Sequence, residues 1–400
     1  MDIKKQLEIF KQGVVNLEKE DELVEKLKEN RPLRIKWGID PSSPDLHIGH
    51  VVPMRKLKQL QEIGHHIDLL IGDFTATVGD PTGRNKMRPP LSRDAVMANA
   101  KTYTDQAFRI LDREKTQVSY NADWLAKIEM SEFMRICAQF TVARMMERDT
   151  FEKRWKEGSP IHMHEFFYCV FTAYDSIALD TDVELGATEQ FFNLLQSRTL
   201  QTYYGKPLQI CMTVPILPGT DGKEKMSKSL GNAIGITDSP SEMFGKVMSI
   251  PDDVMPVYFE LTTSMDWEEI ERIKCGLIDG SLHPNEMKKK LGMEIVREYH
   301  GDDAATQARE EFERIFSGSG FEIPDDVPLL EIKQAGPVKV VDLAVDGGIA
   351  KSKGEARRKI REGAFRINSE KIDDEMLEID PKDGDILSIG KRQFVKIKKI

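Results

Sequence analysis

The sequence predicts an α/β protein built on a doubly wound parallel sheet, followed by a small helical domain and a C-terminal α+β module. Three observations carry that expectation. Short apolar runs alternate with helical stretches up to about residue 235. Helical periodicity and charge dominate residues 240–316, where strand signals are few. Beyond a Gly/Ser/Pro-rich stretch, a cationic helix is interspersed with short strands to the end of the chain.

Taken in order, residues 1–30 read as a charged amphipathic helix. Arg34–Ile39 reads as a strand entering a Pro/Ser loop, His50–Gly64 as a helix, and Ile67–Gly72 as a second buried strand. That strand–loop–helix–strand unit is the building block of a parallel sheet. Further strand candidates are Ile177–Leu179, Val183–Leu185 and Leu208–Val214, with a helix over Thr188–Tyr204. The stretch 94–168 is predicted to be a mostly helical insertion in a first domain covering 1–235. Helices Asp266–Lys274, Pro284–Tyr299 and Asp303–Phe316 fill the second domain, 236–316. Ser317-Gly318-Ser319-Gly320 and the prolines at 324, 328 and 337 mark a linker over 317–336. The last domain, 337–400, holds a helix at Lys353–Glu362 and strands at Phe365–Asn368, Asp385–Ile389 and Gln393–Ile397.

Composition supports several cores in one soluble chain. At 400 residues the chain exceeds one ordinary core, and 40% hydrophobic with 31% charged residues describes a globular protein. No run approaches the roughly 18 apolar residues of a membrane helix. The start, MDIKKQLEIFKQ, has no apolar export segment, so a cytoplasmic protein is expected. Cys137, Cys169, Cys211 and Cys275 are scattered with no CxxC spacing, which predicts reduced thiols and no zinc site. The net charge of −10 is unevenly spread. From residue 337 onward there are 15 Lys and Arg against 12 Asp and Glu, leaving 42 against 55 in the rest. A basic module on an acidic body suits an enzyme with a nucleic-acid partner, although a few surplus lysines are more often a solvated face.

Two clusters carry chemistry. Asp40-Pro41-Ser42-Ser43-Pro44-Asp45-Leu46-His47-Ile48-Gly49-His50 lies between the first buried strand and its helix. There, helix N-termini offer amide donors to phosphate, Gly49 allows close approach, and two imidazoles one turn apart can donate to phosphate oxygens. A lone HxxH is usually incidental, and a metal site would need a third ligand that the sequence does not supply. His65-His66 and His162/His164 are read as ordinary surface or core histidines. The second cluster, Gly219 to Asn232, contains Lys225-Met226-Ser227-Lys228-Ser229 and follows the last strand. Its glycines and lysines read as a mobile loop whose cations can close on a polyphosphate. A solvated lysine loop is the plainer alternative.

Together, His47-Ile48-Gly49-His50 and Lys225–Ser229 resemble the two signature motifs of class I aminoacyl-tRNA synthetases, in order and each after a strand. Gly72-Asp73-Phe74-Thr75, Val78-Gly79-Asp80-Pro81-Thr82-Gly83, Tyr168 through Tyr174-Asp175, and Gly186 to Gln190 resemble the amino-acid pocket of the bacterial tyrosyl family. Thr141 to Asp149 resembles a helix of that family, and Ser352 to Ile360 with Gly390-Lys391-Arg392 resembles an S4 RNA-binding module.

The resemblance implies a Rossmann-like catalytic domain, a helical tRNA-binding domain over 236–316, and an S4-like domain at the end. It implies that tyrosine attacks ATP bound as its Mg²⁺ complex, expelling pyrophosphate, and that a terminal hydroxyl of tRNA(Tyr) then attacks the adenylate. No tightly bound cofactor is implied. Ser42 and His47 are expected toward the γ-phosphate, His50 on the ATP, and Lys225, Lys228 and Ser229 on the pyrophosphate. Gly38, Asp40, Gly49, Gly186 and Glu189 are expected along the nucleotide and adenylate. Asp80 is expected on the substrate ammonium and Asp175 on the phenol hydroxyl, with Lys36, Thr75, Tyr168, Thr172 and Gln190 lining the same pocket. Lys351, Lys353, Arg357, Arg358, Arg361, Lys391 and Arg392 are expected on tRNA. The family implies a homodimer and no membrane association. Departures from its pattern are Thr172 for a Gln, Glu189 for an Asp, Ala187 for a Gly, a bulkier Trp37, and Lys36 where one branch has a Tyr. A paralogue that activates another amino acid and a non-catalytic RNA-binding homologue are the competing readings.

Overall fold

Why a parallel sheet forms in the first part of the chain is visible in its strands. β3 (His66–Ile71) is buried after its first residue and β6 (Ile210–Val214) is buried throughout, as strands covered on both faces must be. The computed structural model describes residues 1–41, 45–80, 93–316, 327–332, 336–368, 370–390 and 393–399. The chain forms two units, Met1–Arg309 and Glu310–Ile400.

The sheet of the first unit also contains β1 (Asn16–Glu18), β2 (Arg34–Ile39), β4 (Thr116–Tyr120) and β5 (Val183–Ala187). Its order is β1-β6-β5-β2-β3-β4, parallel except for β1, which runs antiparallel to β6. From β2 the chain crosses to β3 on one side, whereas β5 lies on the other. That divergence opens a crevice at the carboxyl ends of β2 and β5, the position where doubly wound sheets bind ligands. Register sets Lys36 beside Asp68 of β3 and Glu184 of β5.

Three expectations change. Residues 1–30 form α1 (Ile3–Lys11) and α2 (Glu20–Lys28) with β1 between them, because Lys19 adopts a left-handed φ of 68° that no continuous helix allows. The helical stretch after β3 contains β4, which extends the sheet beside β3. Ile177–Leu179 is no strand. It closes a helix, Met163–Ala178, that ends where Asp180 turns to φ 48°.

The remaining helices before that point are α3 (Ile48–Glu62), α4 (Thr75–Val78), α5 (Arg93–Ala107), α6 (Ala122–Leu125), α7 (Met130–Cys137), α8 (Val142–Met145) and α9 (Asp149–Lys156). The Met163–Ala178 helix is α10, and it packs on α11 (Phe191–Tyr203). α12 (Pro240–Met248), α13 (Met255–Thr262), α14 (Trp267–Ile278), α15 (Pro284–His300) and α16 (Asp302–Phe316) follow. Residues 236–309 fall in the first unit with the sheet.

In the second unit, β7 (Leu329–Ile332) lies within the stretch read as linker, yet it pairs parallel with the last strand. β8 (Val338–Lys339), α17 (Val340–Asp346), α18 (Lys353–Arg361), β9 (Phe365–Ile367), β10 (Glu370–Lys371), β11 (Glu378–Ile379), β12 (Ile386–Ile389) and β13 (Gln393–Lys399) complete it. The larger sheet has the order β10-β9-β12-β13-β7, and β8 pairs with β11. Val340, Leu343, Ile360, Phe365, Leu387 and Val395 form its core, so α17 and α18 are held by apolar burial.

Candidate active site

The cleft is built first by the entry into α3. His47 has extended backbone (φ −123°) and caps the helix, and its N–H donates to His50 Nδ1 at 3.3 Å. A neutral imidazole that accepts through Nδ1 carries its proton on Nε2, so His50 keeps one ring donor. The two rings lie 3.8 Å apart between centroids. Burial lowers the His47 pKa to about 4, aided by the Lys228 cation. Burial, then His47 and Lys228, also holds His50 well below its ordinary value. Both are neutral donors at pH 7. His47 Nδ1 has no hydrogen-bond partner among the described residues. A Cβ on Gly49 would stand 3.0 Å from His47 Nδ1 and 3.5 Å from Met226 Cβ, so only glycine fits without displacement.

That contact joins the two motifs. Ile48 N–H donates to Ile234 O at 2.9 Å, and His47 bridges Gly235 antiparallel, tying the lysine loop's exit to the start of α3. The loop is pinned at its base. Asn232 Oδ1 accepts from Ser227 N–H at 2.8 Å, while its Nδ2 donates to Asp221 Oδ2 at 2.6 Å and Lys225 O at 3.2 Å. Met226 is buried, whereas Lys225 Nζ reaches Glu189 Oε1 and Oε2 at 3.0 and 2.9 Å and Lys228 Nζ reaches Asp45 Oδ2 at 3.1 Å. Ser229 Oγ lies 2.9 Å from Ser227 Oγ.

Amino-acid-side residues gather at the other end. Asp40 Oδ2 accepts from the Tyr168 hydroxyl at 2.9 Å and its Oδ1 from Thr75 Oγ1 at 2.7 Å. Asp40 thus links the Tyr168 and Thr75 side chains of this group. Gly72 is required here, since a Cβ would fall 2.0 Å from Asp40 Oδ1. Burial, then Asp40 and Asp80, keeps the Tyr168 phenol protonated by raising its pKa well above 10. Asp80 follows Gly79 (φ 89°) and accepts from Gln190 Nε2 at 2.9 Å and Arg148 Nη2 at 3.4 Å. Asp175, 2% exposed, accepts from Trp124 Nε1 at 2.8 Å and Asn121 Nδ2 at 3.2 Å. Its pKa is raised to about 7, chiefly by burial, against the lowering effects of Lys36, Trp124 and Asn121. Thr172 Oγ1 donates to Cys169 O at 3.1 Å.

One cleft of about 1120 Å³ is lined by residues of both groups, Gly38, Gly186 and Ala187 among them. Ser42, Lys391 and Arg392 lie outside the described residues. The other expected RNA-contacting residues are on the second unit. Lys351 is exposed, Lys353 pairs with Asp342, Arg361 with Glu375 and Arg358 loosely with Glu362, and Arg357 is exposed on the same helix. Sequence reasoning missed Asn121 and Trp124, which follow the unexpected β4, and also Arg148 and Glu184. An Asn just past a parallel strand was the available signal. Among the described residues no three His, Cys, Asp or Glu side chains stand together as a metal site, and no helix is long and apolar enough to cross a membrane.

Residues 28–317 match the profile of the tRNA synthetases class I (W and Y), and residues 321–396 that of the tyrosine–tRNA ligase SYY-like C-terminal domain. The tyrosine–tRNA ligase of Moorella thermoacetica is 46% identical over 99% of this chain and 96% of its own. That of Aquifex aeolicus is 48% identical over 98% of both. Among solved structures, the tyrosyl-tRNA synthetase of Aeropyrum pernix superposes with a TM-score of 0.64 at 21% identity, covering 78% of this chain and 99% of its own. A C-terminally truncated Aspergillus nidulans mitochondrial tyrosyl-tRNA synthetase gives 0.63 at 23% identity, over 78% and 94%. These two likenesses concern the fold alone.

Proposed function

The chain belongs to the class I tRNA synthetases, in the tyrosine–tRNA ligase family, and from that premise we propose how its own residues perform the reaction. It activates tyrosine with ATP and charges tRNA. The observation that carries the assignment of roles is the meeting of both signature motifs over one cleft, with the buried Asp175 among the residues that line it.

Tyrosine enters with its ammonium toward Asp80, whose carboxylate is steered by Gln190 and Arg148, and its hydroxyl donating to Asp175. Its carboxylate attacks the α-phosphate of ATP, which arrives as the Mg²⁺ complex, and pyrophosphate leaves. No residue forms a covalent bond, so rate comes from positioning and from cations placed where charge grows. His50 donates from Nε2 to the nucleotide and His47 toward its γ-phosphate side, with Ser42 in the same loop. Lys225 and Lys228 exchange Glu189 and Asp45 for pyrophosphate oxygens, with Ser229 beside them. Glu189, Gly38, Gly49 and Gly186 then line the adenylate. Arg357, Arg358, Lys351, Lys353 and Arg361 hold tRNA(Tyr) phosphates through the S4-like unit, supported by the basic balance of that module. Lys391 and Arg392 belong to the same proposal. Residues 236–316 serve as the helical tRNA-binding domain.

A homodimer is supported by large exposed apolar side chains on four consecutive helices, Met130 and Met134 on α7, Val142 on α8, Trp155 on α9 and Met163 on α10. A second copy of the chain would cover such a surface. The expected place of work is the cytoplasm.

Pyrophosphate exchange with each of the twenty amino acids in turn tests the central reading. Tyrosine should drive it best, and better exchange with another amino acid would move the chain to the paralogue reading. Arg357→Glu with Arg358→Glu in the full chain should leave exchange intact and lower charging, most at low salt, where phosphate contacts count for most. Unchanged charging would remove the second unit from tRNA binding, and sedimentation velocity decides the dimer.

A further inference from the structure

Lys36 stands in the expected amino-acid pocket, where one branch of the family has a Tyr, and the resemblance leaves its role open. It is on β2, 1% exposed, on the strand that forms one wall of the cleft. Its ammonium lies 2.8 Å from Glu184 Oε1, donates to Ser176 Oγ at 2.7 Å and reaches Thr172 O at 3.2 Å. An ammonium has three protons, and these three acceptors use all of them. None is left for a substrate hydroxyl. Glu184 is equally committed, since its Oε2 accepts from Ser176 Oγ and Ser197 Oγ at 3.1 Å and from Gln209 Nε2.

Asp175 precedes Ser176 on α10, and its oxygens each accept one donor, from Trp124 and Asn121. Each carboxylate oxygen has a second lone pair for a phenol. The charged groups acting on Asp175 are Lys36, which favours its ionised form, and Glu184, which opposes it with smaller effect. Without Lys36, the buried Glu184 carboxylate would act on Asp175 with no opposing ammonium from β2, and such a pair takes up a proton. We propose that Lys36 is a positioning residue that never touches the substrate: its cation, held by Glu184, Ser176 and Thr172, favours the Asp175 carboxylate that accepts the phenol hydroxyl. This rests on tyrosine being the substrate and deepens that reading.

The consequence is a charge requirement in place of a contact requirement. Lys36→Met leaves Glu184 unpaired and Asp175 more readily protonated, so tyrosine binding weakens and recovers as pH rises. Lys36→Met with Glu184→Gln removes both charges that act on Asp175, and avoids the instability of a half-broken buried pair.

The experiment is pyrophosphate exchange by the full chain, wild type and both variants, with tyrosine and with phenylalanine between pH 6 and 8.5. Lys36→Met should lose up to about tenfold in kcat/KM for tyrosine at pH 7, mostly in KM, for each pH unit by which its acid limb moves upward. The KM for ATP should stay put. The double variant should regain most of the tyrosine loss, with the acid limb moving back toward wild type and the tyrosine-to-phenylalanine preference restored. A double variant as impaired as Lys36→Met would overturn the proposal in favour of direct contact. Wild-type kinetics in Lys36→Met would overturn it in favour of a purely structural pair. Failure of the reading beneath it looks different, because the unsubstituted chain would then not exchange with tyrosine at all.

Discussion

Lys225 and Glu189 form a two-pronged ion pair, with Nζ 3.0 and 2.9 Å from the carboxylate oxygens. The first lysine of the signature loop is thus already held by an anion in the cleft, and pyrophosphate must displace that anion. Both side chains are partly exposed, 38% and 28%, so the pair contributes at most about 1 kcal/mol. Glu189→Gln should therefore tighten binding of inorganic pyrophosphate by roughly two- to fivefold, the factor such a pair can supply. The melting temperature should hardly move. Calorimetric titration with pyrophosphate reads it directly, and weaker binding in the variant would show that Glu189 helps hold the ligand.

Lys228 differs because it meets charge chiefly as the leaving group departs. Its pairing with Asp45 is a single contact at 3.1 Å between side chains about one-third exposed. Lys228→Ala should slow adenylate formation in a single turnover by about 100-fold or more, as loss of one preorganised donor does elsewhere. ATP affinity measured without turnover should change far less. If affinity and rate fall together, the lysine acts in ground-state binding instead.

How much of this was legible in the sequence follows from how local each signal is. The two motifs are contiguous runs beside recognisable strands, and β2, β3, β5 and β6 are apolar enough to announce themselves. β4 was hidden because Thr116-Gln117-Val118-Ser119-Tyr120 is polar and short, and only pairing with β3 makes it a strand. Ile177–Leu179 misleads in the opposite direction, since three apolar residues fit the buried end of α10 as well as a strand. β7 sits between prolines and pairs with a strand more than sixty residues later, which no local pattern encodes. The holders of the pocket are non-local too. Glu184 meets Lys36 through sheet register, and Asn121 and Trp124 reach Asp175 across 54 and 51 residues of chain.

Acid stability should depend on His65. Its Nδ1 accepts from Leu33 N–H at 3.2 Å, its ring packs 5.3 Å from that of Phe10, and Nε2 has no partner among the described residues. Burial lowers its pKa to about 4 from 6.5. The unfolded chain therefore binds a proton that the folded chain refuses between these values. The sign is that stability is full above pH 6.5 and declines as pH falls toward 4. His47, with its pKa also near 4, adds to the same slope. His65→Asn keeps an acceptor but cannot titrate, so its melting temperature at pH 7.5 should drop while its further loss by pH 4.5 is smaller than wild type's. Scanning calorimetry at both pH values tests this, and equal losses would assign the acid slope to other groups.

Thr172 departs from the family where a glutamine is usual, and the surroundings show what compensates. The glutamine's expected work is near the substrate ammonium, on which Asp80 acts. Here Gln190 Nε2 already donates to Asp80 at 2.9 Å, Asn193 Nδ2 fixes the Gln190 amide by donating to its Oε1 at 2.7 Å, and Arg148 approaches the other Asp80 oxygen at 3.4 Å. Thr172 meanwhile supplies its backbone carbonyl to Lys36 and ties its hydroxyl to Cys169 O. A shorter side chain leaves room for an ordered water, at an immobilisation cost of about 0–2 kcal/mol. Thr172→Gln keeps the carbonyl, so the Lys36 contact survives, and adds a second amide near a carboxylate already held. Tyrosine kcat/KM should then stay within about thirtyfold of wild type, since the added amide can at most recover that water's cost. No other amino acid should gain on it. The measurement is kcat/KM for tyrosine and for its best rival in both proteins. A variant that gains tyrosine activity while losing a better native substrate would mean that Thr172 remodels the pocket for that substrate.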